Sequence, residues 1–134
     1  MSTTSGIAIR AGETFQTIYC HWDGYPTKML PMLRENYNSF DLANMLISLG
    51  DASVINKLIG PNPNKPHDFR NPQEDVCIFY HRDRGEPWES CRPTCYTEAE
   101  LFKQPPFKWI YVWEYGQWNI YKNGKKVALD IFGL

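Results

Sequence analysis

The stretch that decides the fold is residues 108–131, KWIYVWEYGQWNIYKNGKKVALDI. Apolar side chains run through it, and two turn signals interrupt it, at Gly116 and at Asn123-Gly124. An Asn-Gly pair between hydrophobic runs is the strongest short-range indication of a β-hairpin. The pattern therefore predicts strands over residues 108–115 and 118–122, followed by a returning strand over residues 126–131.

The strand over residues 108–115 carries large apolar side chains on both of its faces. Successive residues of a strand point to opposite sides, and Tyr111 and Trp113 alternate with Ile110 and Val112. We expect helices to cover one face of the sheet, and a protein partner or a second copy of the chain to cover the other. The aromatic patch offered to that partner comprises Trp109, Tyr111, Trp113, Tyr115 and Trp118.

Further strands and loops are predicted upstream of this stretch. Residues 6–10 (GIAIR) and 14–20 (TFQTIYC) predict a hairpin across Ala11-Gly12-Glu13. Residues 75–81 (DVCIFYH) predict one further strand. Residues 61–74, which contain four prolines and three asparagines, predict a flexible loop. Residues 82–93 predict a charged loop that contains a tryptophan.

Helix signals lie between these strands. Thr27 is the expected cap of a helix over residues 28–37, and Asn38 or Ser39 caps a second helix that ends before Gly50. Residues 51–59 (DASVINKLI) predict a short helical turn. Thr97 and Glu100 have the spacing of a capping box, for a helix that ends at Lys103.

These elements together predict the α+β class, in a single domain over residues 1–134. A mostly antiparallel sheet of about six strands would combine the N-terminal hairpin with the C-terminal aromatic meander. Three or four short helices would lie on one face of that sheet. The Pro- and Asn-rich loop at residues 61–74 belongs to the same domain.

Composition excludes several classes of function. The 134 residues carry 14 Lys and Arg against 15 Asp and Glu, a net charge of −1. General nucleic-acid binding needs an excess of positive charge and DNA mimicry an excess of negative charge, so neither is expected. A small nucleotide held in one pocket is compatible with this balance. The motifs of P-loop ATPases, α/β-hydrolases and dinucleotide-binding folds are absent.

The sequence also bears on the compartment. No apolar run approaches the ~18 residues of a membrane span, and the N-terminus lacks the basic and apolar regions of a signal peptide. We therefore expect a cytoplasmic protein without membrane contact. In that compartment the cysteines would be reduced, namely Cys20, Cys77, Cys91 and Cys95.

One sequence pattern occurs twice, over residues 18–24 and 78–85. Each copy has Ile, an aromatic residue, any residue, His, any residue and Asp, with Gly within two positions. Residues i and i+2 of an extended chain share a side, so His21 and Asp23 should share a face, as should His81 and Asp83. If the two strands are neighbours, all four groups converge at one edge of the sheet.

Four interpretations of this repeat follow. The two His and two Asp side chains could bind Mn, Fe or Zn. Each Asp could orient a histidine for acid–base attack on a phosphoester, with His21 and His81 as the catalytic residues. Each Asp could merely end its strand in an Asx turn. We favour the fourth, a binding rim without metal or cofactor, made by His21, Trp22, Asp23, Tyr25, Arg82, Asp83, Arg84, Glu86 and Trp88.

The composition of this rim favours an anionic, nucleotide-like ligand. Arginine recognises phosphate in a bidentate manner, and a neighbouring aromatic ring can stack on a base. The alternating charges are also typical of a solvated loop. The Cys91 and Cys95 pair could supply half of a zinc site, although buried free thiols are the simpler interpretation.

Three motifs together resemble a family of small proteins that occurs in bacteriophages, prophages and bacteria. They are YCHWDGY at residues 19–25, LGDAS at residues 49–53, and FYHRDRGE at residues 79–86, where the family has Y-x-R-D-R-G-E. The family also closes with an aromatic hairpin, as at residues 109–121. This chain departs from it at Pro26, in a shorter segment before the first helix, and in the Cys91 and Cys95 pair. The resemblance implies a phage or mobile-element setting and no particular chemistry.

In that setting three functions are considered. The leading one is a protein that counters a bacterial immune pathway inside the host cytoplasm by binding, with a nucleotide-like anionic ligand sequestered at the rim. The second is an inhibitor of the anti-CRISPR type, which binds a host defence protein through the aromatic patch. The third is a metal-dependent or histidine-based phosphodiesterase or nuclease that uses His21 and His81.

Overall fold

The computed structural model describes residues 3–128, and within them the chain forms eight strands and four helices. The class is α+β, as the sequence predicts. In chain order the elements are β1 (Ser5–Ala11), β2 (Thr14–Cys20), α1 (Pro26–Asn36), α2 (Phe40–Ser48), β3 (Ala52–Val54), β4 (Ile78–Phe79), α3 (Trp88–Cys91), β5 (Thr94–Thr97), α4 (Glu98–Phe102), β6 (Trp109–Glu114), β7 (Gln117–Lys122) and β8 (Lys125–Val127).

All eight strands belong to one sheet. Its order is β4-β3-β2-β1-β6-β7-β8, and β5 pairs with β2 off this path. The pairs β1–β6 and β2–β3 are parallel, and the other pairs are antiparallel. The N-terminal hairpin and the C-terminal meander are thus joined along β1 and β6, which makes the sheet larger and more mixed than predicted.

Two tight turns build the C-terminal meander. Tyr115 and Gly116 join β6 to β7 with φ of 54° and 75°, and Asn123 and Gly124 join β7 to β8 with φ of 52° and 83°. Two consecutive positive φ angles define the type I′ turn that suits the twist of a hairpin. Both predicted turns are confirmed. The returning strand pairs over Lys125–Val127, and residues 129–131 of the prediction lie outside the described residues.

Helices cover both faces of the sheet, so the prediction of helices on one face is wrong. On one face α1 and α2 bury Ile7, Tyr111 and Trp118. On the other face Leu101 of α4 packs against Ile110 and Val112. The chain therefore covers both faces of β6 itself.

The prediction of an exposed aromatic patch is also wrong for most of its residues. Tyr111, Trp113 and Trp118 are buried, and Trp109 is partly buried. Tyr115 alone of the five is exposed. The apolar alternation of β6 thus reflects a strand between two layers of the same chain, which removes the reason to expect a partner or a homodimer there.

The middle of the chain differs from the sequence prediction in three places. Residues 52–54 form β3, where a helical turn was expected, because their carbonyls accept backbone bonds from the segment that follows β2. The strand predicted over residues 75–81 is paired as a strand only at Ile78–Phe79. The charged loop contains the short helix α3, and β5 follows it, supported by pairing with β2.

The helix caps follow the sequence closely, with one exception. Ser39 caps α2 by accepting the Leu42 N–H, and Thr97 and Glu100 form the predicted capping box. The first helix begins earlier than predicted. Tyr25 is its N-cap and Pro26 its first residue, where the fixed φ of proline suits a helix start.

Candidate functional site

The sheet divides along β2, and a cleft opens at the division. Residues 14–17 of β2 pair with β5, whereas Cys20 pairs with Ala52 of β3. Tyr19 lies between these two pairings. Its N–H donates to the Asp51 carboxylate at 2.8 Å instead of to a strand carbonyl. A side chain therefore replaces a neighbouring strand here, which leaves space beside it.

The cleft has two lobes that share Asp51 and Ser90. The small lobe has a volume of about 290 Å³ and is lined by Tyr19, Asp51, Tyr80, Glu86, Ser90 and Cys91. The large lobe has a volume of about 500 Å³ and is lined by Gln16, Asp51, Trp88, Glu89, Ser90, Arg92, Pro93, Thr94 and Cys95. Small-molecule sites commonly span roughly 300–1,000 Å³.

Asp51 is held firmly at the junction of the lobes. Its N–H donates to the Cys91 carbonyl at 2.7 Å, and its carbonyl accepts the Tyr80 N–H at 3.1 Å. Burial raises the pKa of its carboxyl, and the Tyr19 N–H opposes that shift. Three backbone groups from three chain segments thus bond to one acidic residue.

Most donors of the small lobe are already used within the chain. The hydroxyl of Ser90 and the thiol of Cys91 both donate to the Pro87 carbonyl, at 2.8 and 3.2 Å. The Tyr19 hydroxyl is bonded to Nδ1 of His21 at 2.5 Å. The Glu86 carboxylate, in contrast, has no hydrogen-bond partner among residues 3–128. The lobe therefore presents mainly acceptors to a ligand.

Protonation states follow from burial and from the two acidic residues. Burial raises the pKa of Tyr19, Tyr80 and Cys91. The charge of Asp51 adds to each shift, and that of Glu86 adds to the shifts of Tyr80 and Cys91. The phenols and the thiol are therefore neutral near pH 7, and the negative charge of the small lobe is carried by carboxylates.

Several of the predicted rim residues lie at or beside this cleft. Glu86 lines the small lobe and Trp88 the large one. His81 contacts both, since its Nδ1 bonds the Glu86 carbonyl at 2.8 Å and its ring packs on Trp88. Arg84 lies over the ring of Tyr80, 4.9 Å from its centroid. His21 is connected through Tyr19.

Arg82 and Asp83 are engaged within the fold. Nε and Nη2 of Arg82 donate to the Asp83 carboxylate, and its Nη1 and Nη2 reach the carbonyls of Ile59 and Cys77. The Asp83 carboxylate also accepts the Phe79 N–H at 2.8 Å. These contacts give both residues a structural role at the end of β4, and neither of them lines the cleft.

The two copies of the repeated pattern meet differently from the prediction. Strand β3 lies between β2 and β4, so the strands are not neighbours. The residues that approach each other are Tyr19 and Tyr80, whose ring centroids are 6.3 Å apart. Trp22 packs on His21, Asp23 has a φ of 58° between β2 and α1, and Tyr25 is the N-cap of α1. None of these three residues lines the cleft.

The metal interpretations gain no support from the described geometry. Within residues 3–128, no three side chains of His, Cys, Asp or Glu are grouped so that they could hold a metal ion. Cys91 is buried and Cys95 exposed, and each is a free thiol.

Sequence reasoning missed the centre of the site. In the sequence, Asp51, Tyr19 and Tyr80 stand out only as members of motifs, and Ser90 does not stand out at all. Cys91 suggests only half of a zinc site or a buried free thiol. The available signal was an acidic residue directly after Gly50, at a helix end where the chain turns back towards the sheet. Its partners could not be named because they come from segments 30 to 40 residues away.

Comparisons with known proteins add no assignment. No protein-family model matches the chain, and neither the curated proteins nor the solved structures gave a match. Of the helices described between residues 3 and 128, none has the length and apolar character required to cross a bilayer.

Proposed function

We propose that this protein binds a nucleotide in the two-lobed cleft and, in a phage setting, counters a bacterial immune pathway by sequestering that ligand. One observation carries the proposal. An acceptor-lined lobe with tyrosine side chains is joined, at Asp51, to a lobe that contains a tryptophan and an arginine. Nucleotides combine a flat ring bearing donors, a sugar with hydroxyls, and an anion, in that order.

The anionic end of the ligand belongs in the large lobe. Arg92 is the cation that lines it, and its side chain is 61% exposed. Its ion pair with Glu89 spans 3.7 Å on the surface, where such pairs contribute little. The guanidinium can therefore turn to a phosphate and bind it in a bidentate manner.

The base belongs in the small lobe for the complementary reason. No cation lines the small lobe beside Asp51 and Glu86, whereas Arg92 offsets one of the two carboxylates, Asp51 and Glu89, that line the large lobe. A phosphate is therefore repelled more strongly from the small lobe, where ring and amino N–H groups can donate to the carboxylates. Tyr80 offers an aromatic surface, and aromatic stacking stabilises a bound base by about 1–3 kcal/mol. Charge thus supports a single orientation of the ligand in the cleft.

The proposal is tested by calorimetric titration with nucleoside monophosphates and the matching nucleosides. We expect Arg92→Ala to weaken nucleotide binding about tenfold, which corresponds to the loss of one charge-assisted contact, and to leave nucleoside binding unchanged. Arg34→Ala, which changes a basic residue of α1 outside the cleft, is the matched control. Failure of every nucleotide to bind the unmodified protein would refute the proposal.

A second function is favoured by one separate observation. Phe40, Leu42 and Met45 of α2 are large apolar side chains with exposures of 56%, 40% and 51%. Such a surface suits an inhibitor that binds a host defence protein directly. Met45→Glu would then abolish protection of phage in defended cells, and Asp51→Asn would not. The reverse result supports sequestration.

A further inference from the structure

We propose that the small lobe selects a guanine base, so that the bound ligand is a guanine nucleotide. This inference rests on the proposed nucleotide binding and adds the identity of the base. It follows from the hydrogen-bond donors and acceptors of the lobe and from the assignment of one lining side chain to each part of the ligand.

The small lobe offers few free donors. The Ser90 hydroxyl and the Cys91 thiol donate to the Pro87 carbonyl, and the Tyr19 hydroxyl is hydrogen-bonded to His21. The Tyr80 hydroxyl is the one lining donor without a hydrogen-bond partner among residues 3–128, and two carboxylates, which only accept hydrogen bonds when ionised, complete the polar lining. A ligand group that brings acceptors into this lobe would place its lone pairs against carboxylate oxygens with no hydrogen between them, which is repulsive.

Guanine is the common base that best satisfies such a lining. Its N1–H and its N2 amino group lie side by side and can donate to both oxygens of one carboxylate. Adenine and cytosine present a single amino group beside a ring acceptor, and uracil presents one N–H between two carbonyls. Each of these would place an acceptor against the carboxylate.

The positions of the lining residues assign each of them to one part of the ligand. Glu86 lines only the small lobe, and its carboxylate has no hydrogen-bond partner among the described residues. We therefore assign it to the base. Asp51 lines both lobes and uses one oxygen for the Tyr19 N–H, so its other oxygen is available to a sugar hydroxyl. Arg92 lines only the large lobe and is assigned to the phosphate.

Glu86 is well placed for this role because its backbone is fixed. Its N–H donates to the Tyr80 carbonyl at 3.0 Å, and its own carbonyl bonds Nδ1 of His81 at 2.8 Å. Its carboxylate makes no hydrogen bond or ion pair with any residue between 3 and 128. Replacing the carboxylate should therefore change recognition and leave folding intact.

The test is calorimetric titration of the full chain with the 5′-monophosphates of guanosine, inosine, adenosine, cytidine and uridine. We expect guanosine monophosphate to bind most tightly. Inosine monophosphate, which lacks the N2 amino group, should bind at least tenfold more weakly, because sites built around a polar group discriminate strongly against its absence.

Glu86→Gln is the informative variant, since the amide places an N–H₂ donor where guanine needs an acceptor. We expect this variant to bind guanosine monophosphate at least tenfold more weakly and uridine monophosphate with unchanged affinity. Its melting temperature should be unaltered. Glu35→Gln, which changes an exposed residue of α1 outside the cleft, is the matched control and should change neither affinity.

The outcomes distinguish guanine selection from the proposed nucleotide binding on which it rests. Equal affinities for all five nucleotides would overturn guanine selection and leave nucleotide binding standing. Absence of binding by all five would overturn both. Tighter binding of N-acetylarginine amide than of any nucleotide would show that the lobe takes a guanidinium cation, and would also overturn the inference.

Discussion

At the scale of single residues, Asp51 combines a structural and a functional task. Its carboxylate replaces a strand carbonyl for the Tyr19 N–H, and its backbone is bonded to Cys91 and Tyr80. A neutral amide could accept the same N–H bond without the cost of a partly buried charge. The presence of Asp here is therefore better explained by what it offers to a ligand than by the stability of the fold.

Asp51→Asn is accordingly expected to stabilise the protein at pH 7, by less than about 1 kcal/mol because the group is still partly hydrated. A carboxyl whose pKa is raised by folding favours the folded state at low pH and loses that contribution as pH rises through its folded pKa. The gain in free energy of unfolding from Asn should thus vanish near pH 3. Urea unfolding of both proteins at pH 7 and at pH 3 measures this gain. A loss of stability at pH 7 would contradict this account.

At the scale of elements, the cleft depends on one close approach between chain segments. Gly50 ends α2 at φ +86°, and a Cβ there would lie 2.5 Å from the Cys91 carbonyl oxygen. The same carbonyl accepts the Asp51 N–H. The α2 end and the α3 end therefore touch backbone to backbone, which fixes the width of the cleft.

Gly50→Ala should destabilise the fold by about 2 kcal/mol more than Gly85→Ala, in equilibrium denaturation. Gly85 has a similar φ of +75° but open space around it, so its substitution costs only the left-handed conformation, roughly 1–2 kcal/mol. The pair thus isolates the steric contact from the backbone conformation. Equal losses for both variants would mean that the Cys91 segment moves away freely.

The loop over residues 61–74 has specific contacts despite its composition. Nδ1 of His67 accepts the Gln73 N–H at 3.0 Å, and the Gln73 side chain bonds three loop carbonyls. Phe69 lies on one side of Arg84, 4.9 Å from its guanidinium, and Tyr80 of the small lobe lies equally close. The loop is therefore linked to the wall of the cleft.

Phe69→Ala should loosen this link, because a cation–π contact at an exposed site contributes about 0.5–1 kcal/mol. Hydrogen exchange of the amides in residues 61–74 should accelerate roughly 2- to 5-fold, and the melting temperature should change little. Phe69→Tyr, which keeps the ring, should leave exchange unchanged. Unaltered exchange in the alanine variant would show that the loop is held by its polar contacts alone.

At the scale of the whole molecule, the two apolar layers share the same strands. Ile7 of β1 and Tyr111 of β6 face α1 and α2, whereas their neighbours Ala8 and Ile110 face α4. Neither layer can lose its packing without exposing one side of the central strands. The described chain should therefore unfold as one cooperative unit.

Leu33→Ala and Leu101→Ala test this from opposite faces, since both leucines are fully buried. Each substitution should lower the free energy of unfolding by about 2–5 kcal/mol. Unfolding should remain a single transition, with coincident curves from tryptophan fluorescence and far-ultraviolet circular dichroism. Separate transitions for the two probes in either variant would indicate that the layers unfold independently.

Features that depend on neighbouring residues could be predicted from the amino-acid pattern. These include the Asn123-Gly124 turn, the Ser39 cap, the capping box of α4 and the paired strands at each end of the chain. Each is fixed by bonds that span only a few residues, so the local pattern contains the needed information. The presence of a chemically rich segment over residues 79–92 was also visible, from its density of His, Arg, Asp, Glu and Trp.

The pairing of β3, the covering of β6 and the cleft depend on contacts between segments that are distant in the chain. Residues 52–54 become a strand because β2 and β4 supply partners, and the apolar alternation of β6 is satisfied by α4, which lies on its far side. The cleft arises where β2 changes partner from β5 to β3, and it brings Tyr19, Asp51, Tyr80 and Glu86 together across more than 60 residues of chain. Such long-range pairing leaves no periodic trace in the sequence, because each side chain is placed by a different segment.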